Sequence, residues 1–343
     1  MRRLILILIA SLFAANHCLP TSAVDNGALI NEIALSPTGI DSGAGHPLIQ
    51  PKTSPGENSS APVNPEIHPS QNLTIVFIDV GQGDSILVIL PNTKTLLIDG
   101  GQREASGKVL STLQEYGLNH IDVVVATHPH ADHIGGLIDV IKNVSIGQVL
   151  DSGHLHRGPF FEDFLSAIET KQVPLKSVRE GDSINLDPTV KIEVLNPPAN
   201  LTKGVNNKSV VLRLEYGEFS ALFTGDIEKA SEARLVSRNA TALDVDVLKA
   251  SHHGDNSSST LPFLNAVTPE FVVISLGVGY GYPHNEALER ISAARTEHLF
   301  RTDVDGTITV TANACSEYSI ITEKSMKTVN VSEFEMAKCK FLH

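Results

Sequence analysis

Thr127-His128-Pro129-His130-Ala131-Asp132-His133-Ile134-Gly135-Gly136 is the stretch that decides how this chain is read. It follows residues 121–126, an apolar, β-branched run of the kind that forms a strand covered on both faces. In an extended loop, side chains two apart point the same way, so His128 and His130 can present imidazoles to one metal ion. Asp132 and His133 come next, at a helix start, and face a neighbouring position. A histidine-rich surface loop is the plain alternative. It gives no reason for four ligand-type residues to gather directly after a buried strand.

Further ligands are expected at other strand ends, because a folded metal site draws on distant segments. Residues 220–224 run into Gly225-Asp226, and residues 245–250 run into Ser251-His252-His253-Gly254. Each step alone is an ordinary turn. In series, after strands and downstream of the histidine cluster, they read as parts of one site.

Around these points the pattern alternates strands and helices. Strands are expected at 73–80, 85–90, 95–98, 121–126, 190–195, 209–216, 220–224, 245–250, 271–276 and 307–311. Helical spacing marks 108–116, 132–142, 160–171, 228–236 and 285–295, with a turn at Asp305-Gly306. Two halves of similar plan imply an α/β protein with sheets packed together and helices outside.

Bulk properties bound the function. The 343 residues are 41% hydrophobic and 19% charged, which is globular, and carry a formal charge of −13. A phosphate-gripping nucleic-acid binder usually carries a basic stripe, so any such substrate would be held locally, with metal cations supplying positive charge. Arg2 and Arg3 precede an apolar run at 4–15 and small residues up to Ala23, so residues 1–23 read as a signal peptide. Residues 24–71, rich in Pro, Ser, Gly and Asn, read as a disordered linker. An exported chain could bridge Cys315 and Cys339, and its eight Asn-x-Ser/Thr sites suit an extracytoplasmic surface. The localisation expected is secreted or extracytoplasmic, with a membrane tether if the N-terminal segment stays uncleaved.

The His-x-His-x-Asp-His cluster, the later Gly-Asp and the His-Gly step resemble the metallo-β-lactamase superfamily. More narrowly, Phe77-Ile78-Asp79-Val80-Gly81-Gln82-Gly83-Asp84-Ser85, Leu97-Ile98-Asp99-Gly100-Gly101, Asn206-Asn207-Lys208-Ser209, Thr224-Gly225-Asp226-Ile227-Glu228 and Leu248-Lys249-Ala250-Ser251-His252-His253-Gly254 resemble the extracellular hydrolase domain of competence protein ComEC and its stand-alone relatives. Arg301-Thr302-Asp303 with Asp305-Gly306 resembles that family's closing hairpin. The resemblance implies a four-layer αββα sandwich of two mixed sheets over residues 72–312, leaving 313–343 as an extension of unknown role. It implies two divalent ions, zinc or manganese. His128 and His130 would bind the first; Asp132, His133 and His253 would bind the second; Asp226 would bridge them. Asp99 and His252 would support those ligands from behind.

Two departures stand out. Most of the superfamily gives the first metal a third histidine where this chain has Asn206-Asn207-Lys208-Ser209, which favours a harder ion such as manganese. His154 and His156 are candidates to compensate. Relatives often show His-Pro-His near the end, whereas this chain has Tyr282-Pro283-His284. The activity implied is phosphodiester hydrolysis, with extracellular nucleic acid as a candidate substrate, by a metal-bridging hydroxide that Asp132 orients. His284 is the candidate proton donor, and Asn207, Lys208 and Lys249 are the candidate substrate contacts. Rival readings keep the fold but take a cell-wall phosphodiester such as phosphorylcholine, an ester or a lactam, or keep the scaffold as a non-catalytic binder.

Overall fold

The structure, a computed structural model, describes residues 72–200, 203–239, 243–315 and 317–331. The expected signal peptide and linker lie outside the described residues. Six strands come first: β1 Leu73–Phe77, β2 Ile86–Ile89, β3 Thr95–Ile98, β4 His120–Ala126, β5 Ser145–Asp151 and β6 Leu175–Ser177. Then follow β7 Val190–Asn196, β8 Val211–Tyr216, β9 Phe219–Phe223, β10 Val247–Lys249, β11 Phe271–Ile274 and β12 His298–Arg301. The last three, β13 Ile308–Ala312, β14 Tyr318–Thr322 and β15 Thr328–Val331, return to the first sheet. That sheet runs β15-β14-β13-β1-β2-β3-β4-β5-β6, and the second runs β12-β11-β10-β9-β8-β7. Both are mixed: β3 to β6 and β9 to β12 pair in parallel, while the strands beyond them pair antiparallel.

Strand β4 shows why the layers form. Val123 and Val125 face the core between the sheets, where Phe77 meets Phe223 at 6.3 Å between ring centroids. Val124 and Ala126 point the other way, under helices α1 Ser106–Glu115, α2 Ala131–Asn143 and α3 Pro159–Thr170, and Ile121 at the strand start packs with the same cluster. Period-two alternation with apolar residues on both faces requires cover on both sides. The second sheet is treated alike: Leu222, Leu248 and Val272 pack beneath α4 Lys229–Asn239, α5 Leu261–Val267 and α6 Asn285–Ala293. The result is the four-layer αββα sandwich.

Two findings differ from the sequence reading. Strands β14 and β15 lie within 313–343 and continue the first sheet, so the sandwich does not stop at residue 312. Residues 301–306 form no hairpin either. Strand β12 belongs to the second sheet and β13 to the first, and a short helix, α7 Thr302–Asp305, carries the chain between them. Among the described residues no helix is long and apolar enough to cross a membrane.

Asp122 is the acidic residue of β4. Its carboxylate accepts hydrogen bonds from Lys94 Nζ at 2.7 Å, Thr95 N at 2.9 Å and Thr95 Oγ1 at 3.1 Å, tying β4 to the start of β3. Burial raises its pKa, but the hydrogen bonds from Lys94 and Thr95 outweigh burial and hold it below the usual aspartate range. The folded state therefore prefers the ionised form. The resulting stability is present above the unfolded value near ~4 and is lost as pH falls through the folded one. Asp122→Asn should cost about 1 kcal/mol at pH 7. The gap from wild type, read by thermal melts, should narrow toward pH 3; a gap that stays constant in acid would refute the electrostatic account.

Candidate metal centre

The carboxyl ends of β3 and β4 in one sheet and of β9 and β10 in the other open onto the same space, joined across the sheets where Val210 N donates to Thr127 O at 2.9 Å. All six sequence-predicted ligands meet there. Their donor atoms fall into one group of His128, His130 and Asp226 and another of Asp132, His133 and His253, each within 4.8 Å. Asp226 Oδ2 is central, 3.1 Å from His133 Nε2, 3.5 Å from His253 Nε2 and 3.7 Å from His128 Nε2. His253 Nε2 also lies 3.4 Å from Asp132 Oδ2, and His128 Nε2 faces His130 Nδ1 at 3.0 Å.

The local chain is bent to make this convergence. Asp99, His252 and His253 adopt φ of 57°, 51° and 54°, left-handed values that non-glycine residues rarely take and that cluster at functional sites. Asp99 ends β3 buried beneath the cage. It accepts from Thr127 N at 2.8 Å, Thr127 Oγ1 at 2.6 Å and His133 Nδ1 at 2.7 Å, which aims His133 Nε2 at Asp226. His253 Nδ1 donates to the Ser275 carbonyl at 2.8 Å, so its Nε2 points into the cage. This settles which of the adjacent histidines belongs to the donor group. His252 stands at its edge, with Nε2 at 3.9 Å from Asp226 Oδ2 and 3.4 Å from Asn206 Nδ2.

Charge is balanced inside. Burial, then the neighbouring His133, holds His128 well below the ordinary imidazole range, in the neutral form a metal needs. His133 and His253 go the other way. Burial lowers both, but Asp226 and other carboxylates outweigh it, raising His133 strongly and His253 to about 9. Burial raises Asp132 and Asp226, but His133 and then His253 more than reverse it, so both are held far below the carboxylate range. Burial dominates at Asp99 and lifts it. His133 Nε2, His253 Nε2 and Asp226 Oδ1 are buried without a hydrogen-bond partner. Each such orphan costs about 1–3 kcal/mol, so donor atoms of this chemistry aimed at one another fit divalent cations.

Not every predicted residue reaches the centre. Asn207 is turned inward: its Oδ1 accepts from Glu228 N at 3.1 Å and Ser231 N at 3.3 Å, and its Nδ2 donates to Glu228 Oε2 at 2.9 Å. It secures the start of α4. Lys249 is completely buried and points at Asp84, with Nζ at 2.5 Å from Oδ2. Lys208 is half-buried with Nζ at 3.0 Å from His154 Nδ1, and the His156 ring lies 6.2 Å from that of His130. Neither His154 nor His156 joins a donor group among the described residues. His284 stands further out, where its Nδ1 accepts from Asn256 N at 3.0 Å and lies 3.3 Å from Asp255 Oδ2. Tyr282 is nearer, its ring 6.1 Å from both His252 and His253. Asp84, which an Asp after Gly-Gln-Gly presents only as a turn residue, lies beneath the cage with Oδ1 at 3.6 Å from His253 Nδ1.

The profile of the metallo-beta-lactamase superfamily matches residues 78–278. The chain belongs to the metallo-β-lactamase superfamily. It is 30% identical over 251 residues to ComE operon protein 3 of Bacillus subtilis (strain 168), covering 68% of this chain and 32% of that protein. It is 31% identical over 246 residues to Competence protein ComA of Neisseria gonorrhoeae, covering 71% and 33%. The chain thus spans about a third of the length of these relatives. Among solved structures, the metallo-beta-lactamase fold protein YhfI from Bacillus subtilis aligns with a TM-score of 0.48 at 12% identity, over 69% of this chain and 99% of that one.

Gly136 tests how tightly the histidine loop is clamped. A Cβ there would lie 1.9 Å from the Gly100 carbonyl oxygen, in the loop after Asp99. Gly136→Ala must therefore push α2 away from that loop, at an overpacking cost of about 1–3 kcal/mol. The melting temperature should fall by at least ~3 °C. An unshifted melt would show that the helix start is free to move.

Proposed function

We propose that this chain is an exported two-metal phosphodiesterase that acts on a nucleic-acid-like substrate. His128, His130 and Asp226 would hold one divalent cation, and Asp132, His133 and His253 the other, with Asp226 shared. The position of Asp226 Oδ2, within 3.7 Å of three imidazole nitrogens from two chain segments, carries this reading. Such a cation pair, when bound, lowers the pKa of a water and counters charge on a phosphoryl group.

The chain's own groups have separable tasks. Asp132, whose side chain is 24% exposed and is kept ionised, can accept a hydrogen bond from an attacking water and orient it. Lys208, beside His154 on the His130 side, offers a positive charge for an anionic group of the substrate. Tyr282 covers the His252–His253 side and excludes water there. The similarity to competence proteins favours phosphoryl over acyl chemistry, and the disulfide at Cys315 suits an oxidising compartment. With Asn207 committed to α4, His128, His130 and Asp226 would hold the first cation, a donor set that would accommodate manganese as readily as zinc. The formal charge of −13 favours the rival reading, a small or cell-wall phosphodiester over long DNA.

The purified chain should cleave bis-p-nitrophenyl phosphate and single-stranded DNA, lose both activities to a chelator, and regain them with Mn²⁺ or Zn²⁺. His128→Ala and Asp226→Ala should each lower kcat by about 100-fold or more. Cleavage that survives the chelator would eliminate the metal mechanism. Turnover of nitrocefin in preference to the phosphodiesters would transfer the site to acyl chemistry.

A further inference from the structure

Lys249 is among the largest fully buried side chains of the chain, and an ammonium in a dry interior is costly unless closely partnered. Its partners are specific. Nζ lies 2.5 Å from Asp84 Oδ2, donates to the Gly225 carbonyl at 3.2 Å and lies 3.9 Å from Asp226 Oδ1. Strand β10 is tied to the same turn through Thr224, whose Oγ1 donates to the Lys249 carbonyl at 2.7 Å. Asp84 reaches the other ligand segments: its N donates to the Asp132 carbonyl at 3.2 Å, and its Oδ1 is 3.6 Å from His253 Nδ1. One buried ion pair therefore touches the chain at Asp132, Gly225–Asp226 and His253.

Asp84, Asp99 and His133 also bring donor atoms together in a third group, within 4.8 Å of one another. A third cation would have to share Asp84 with an ammonium already 2.5 Å away, which like-charge repulsion forbids. The lysine takes the cationic place there.

We propose that Asp84 and Lys249 form a positioning device for the dinuclear centre, fixing the Gly225–Asp226 turn so that the Asp226 carboxylate stands between the two cation positions. This rests on the two-cation reading above. The pair touches no substrate and takes no part in proton transfer. Its effect is on cation binding.

The test separates position from charge and from folding. Asp84→Asn and Lys249→Met each leave one buried charge uncompensated, so each alone should lower the melting temperature measured with chelator present. The combined Asp84→Asn, Lys249→Met chain removes both charges, and much of that loss should return. The net field at the cage is then nearly unchanged, yet the tie to Gly225 is gone. Titration with Mn²⁺ and with Zn²⁺ should show affinity about 10–100-fold weaker than wild type for at least one of the two cations. Native affinity for both cations in the double variant overturns the proposal, because the pair would then serve folding alone. Should the double variant fail to fold, Asp84→Glu keeps the charge and displaces the carboxylate by one methylene. Weakened cation affinity in it supports the proposal, and native affinity overturns it. A wild-type chain that binds no divalent cation overturns the metal reading, and this proposal with it, whereas a failure confined to the double variant leaves the metal reading intact.

Discussion

Four carboxylates, the buried Asp84, Asp99 and Asp226 and the partly exposed Asp132, gather at the carboxyl ends of the strands with imidazoles of the histidine loop. Two unit charges ~4 Å apart repel by about 4 kcal/mol at the effective dielectric of a protein, a large part of what holds a domain folded. The surrounding structure distributes positive partners among them. Asp99 has His133 and the Thr127 hydroxyl, and Asp84 has Lys249. Asp132 and Asp226 are left with imidazole nitrogens that have no other hydrogen-bonding occupation. Asp99 is satisfied by the protein itself, and Asp84 is paired through Oδ2 with Lys249 while its Oδ1 is buried without a hydrogen-bond partner. Asp132 and Asp226, with their histidines, are arranged for cations.

This division accounts for what is legible in the sequence. The 128–133 cluster is legible because its geometry is local: an extended loop places alternate side chains together, and a helix start turns the next two toward the same space. Asp226 and His253 are legible for a weaker reason, recurrence of ligand-type residues at strand ends, and both arrive where that pattern implies. The choice between His252 and His253 is not legible. It depends on the Ser275 carbonyl, 22 residues away, which takes one ring nitrogen of His253 and leaves the other for the cage. The strands flanking the site fall close to their expected places, because a short apolar, β-branched run is stable only when covered on both faces. Strand β6, whose residues are all exposed, and β15, with alternate residues exposed, carry no such pattern, and pairing alone defines them.

Two of the residues expected as substrate contacts, Lys249 and Asn207, are engaged inside the protein. Lys249 and Asn207 sit beside motif positions, and a polar side chain next to a metal ligand looks functional in one dimension. In a strand, however, neighbours alternate in direction, and Lys249 on β10 points beneath the cage. Asn207 lies in a tight turn whose amide is consumed by the backbone of α4. The 301–306 step failed for a topological reason. Asp-Gly signals a turn, but only sheet membership shows that the strands on either side belong to different sheets.

Asn206 and Asn207 connect these points to chemistry. Where most of the superfamily supplies a third imidazole, this chain spends its amides on Glu228, with Asn206 Nδ2 at 3.1 Å from Oε1 and Asn207 Nδ2 at 2.9 Å from Oε2. Glu228 is itself two residues beyond Asp226, so the exchange stiffens the turn that carries the shared carboxylate instead of adding a donor. On the proposed reading, His128, His130 and Asp226 would be the residues that hold the first cation, with no third imidazole from the 206–209 turn. Precise placement of Asp226 would then matter correspondingly more, because its Oδ2 lies within 3.7 Å of imidazole nitrogens of both donor groups. Glu228 with its two asparagines on one side of the turn, and Lys249 with Asp84 on the other, grip the residues on either side of that carboxylate.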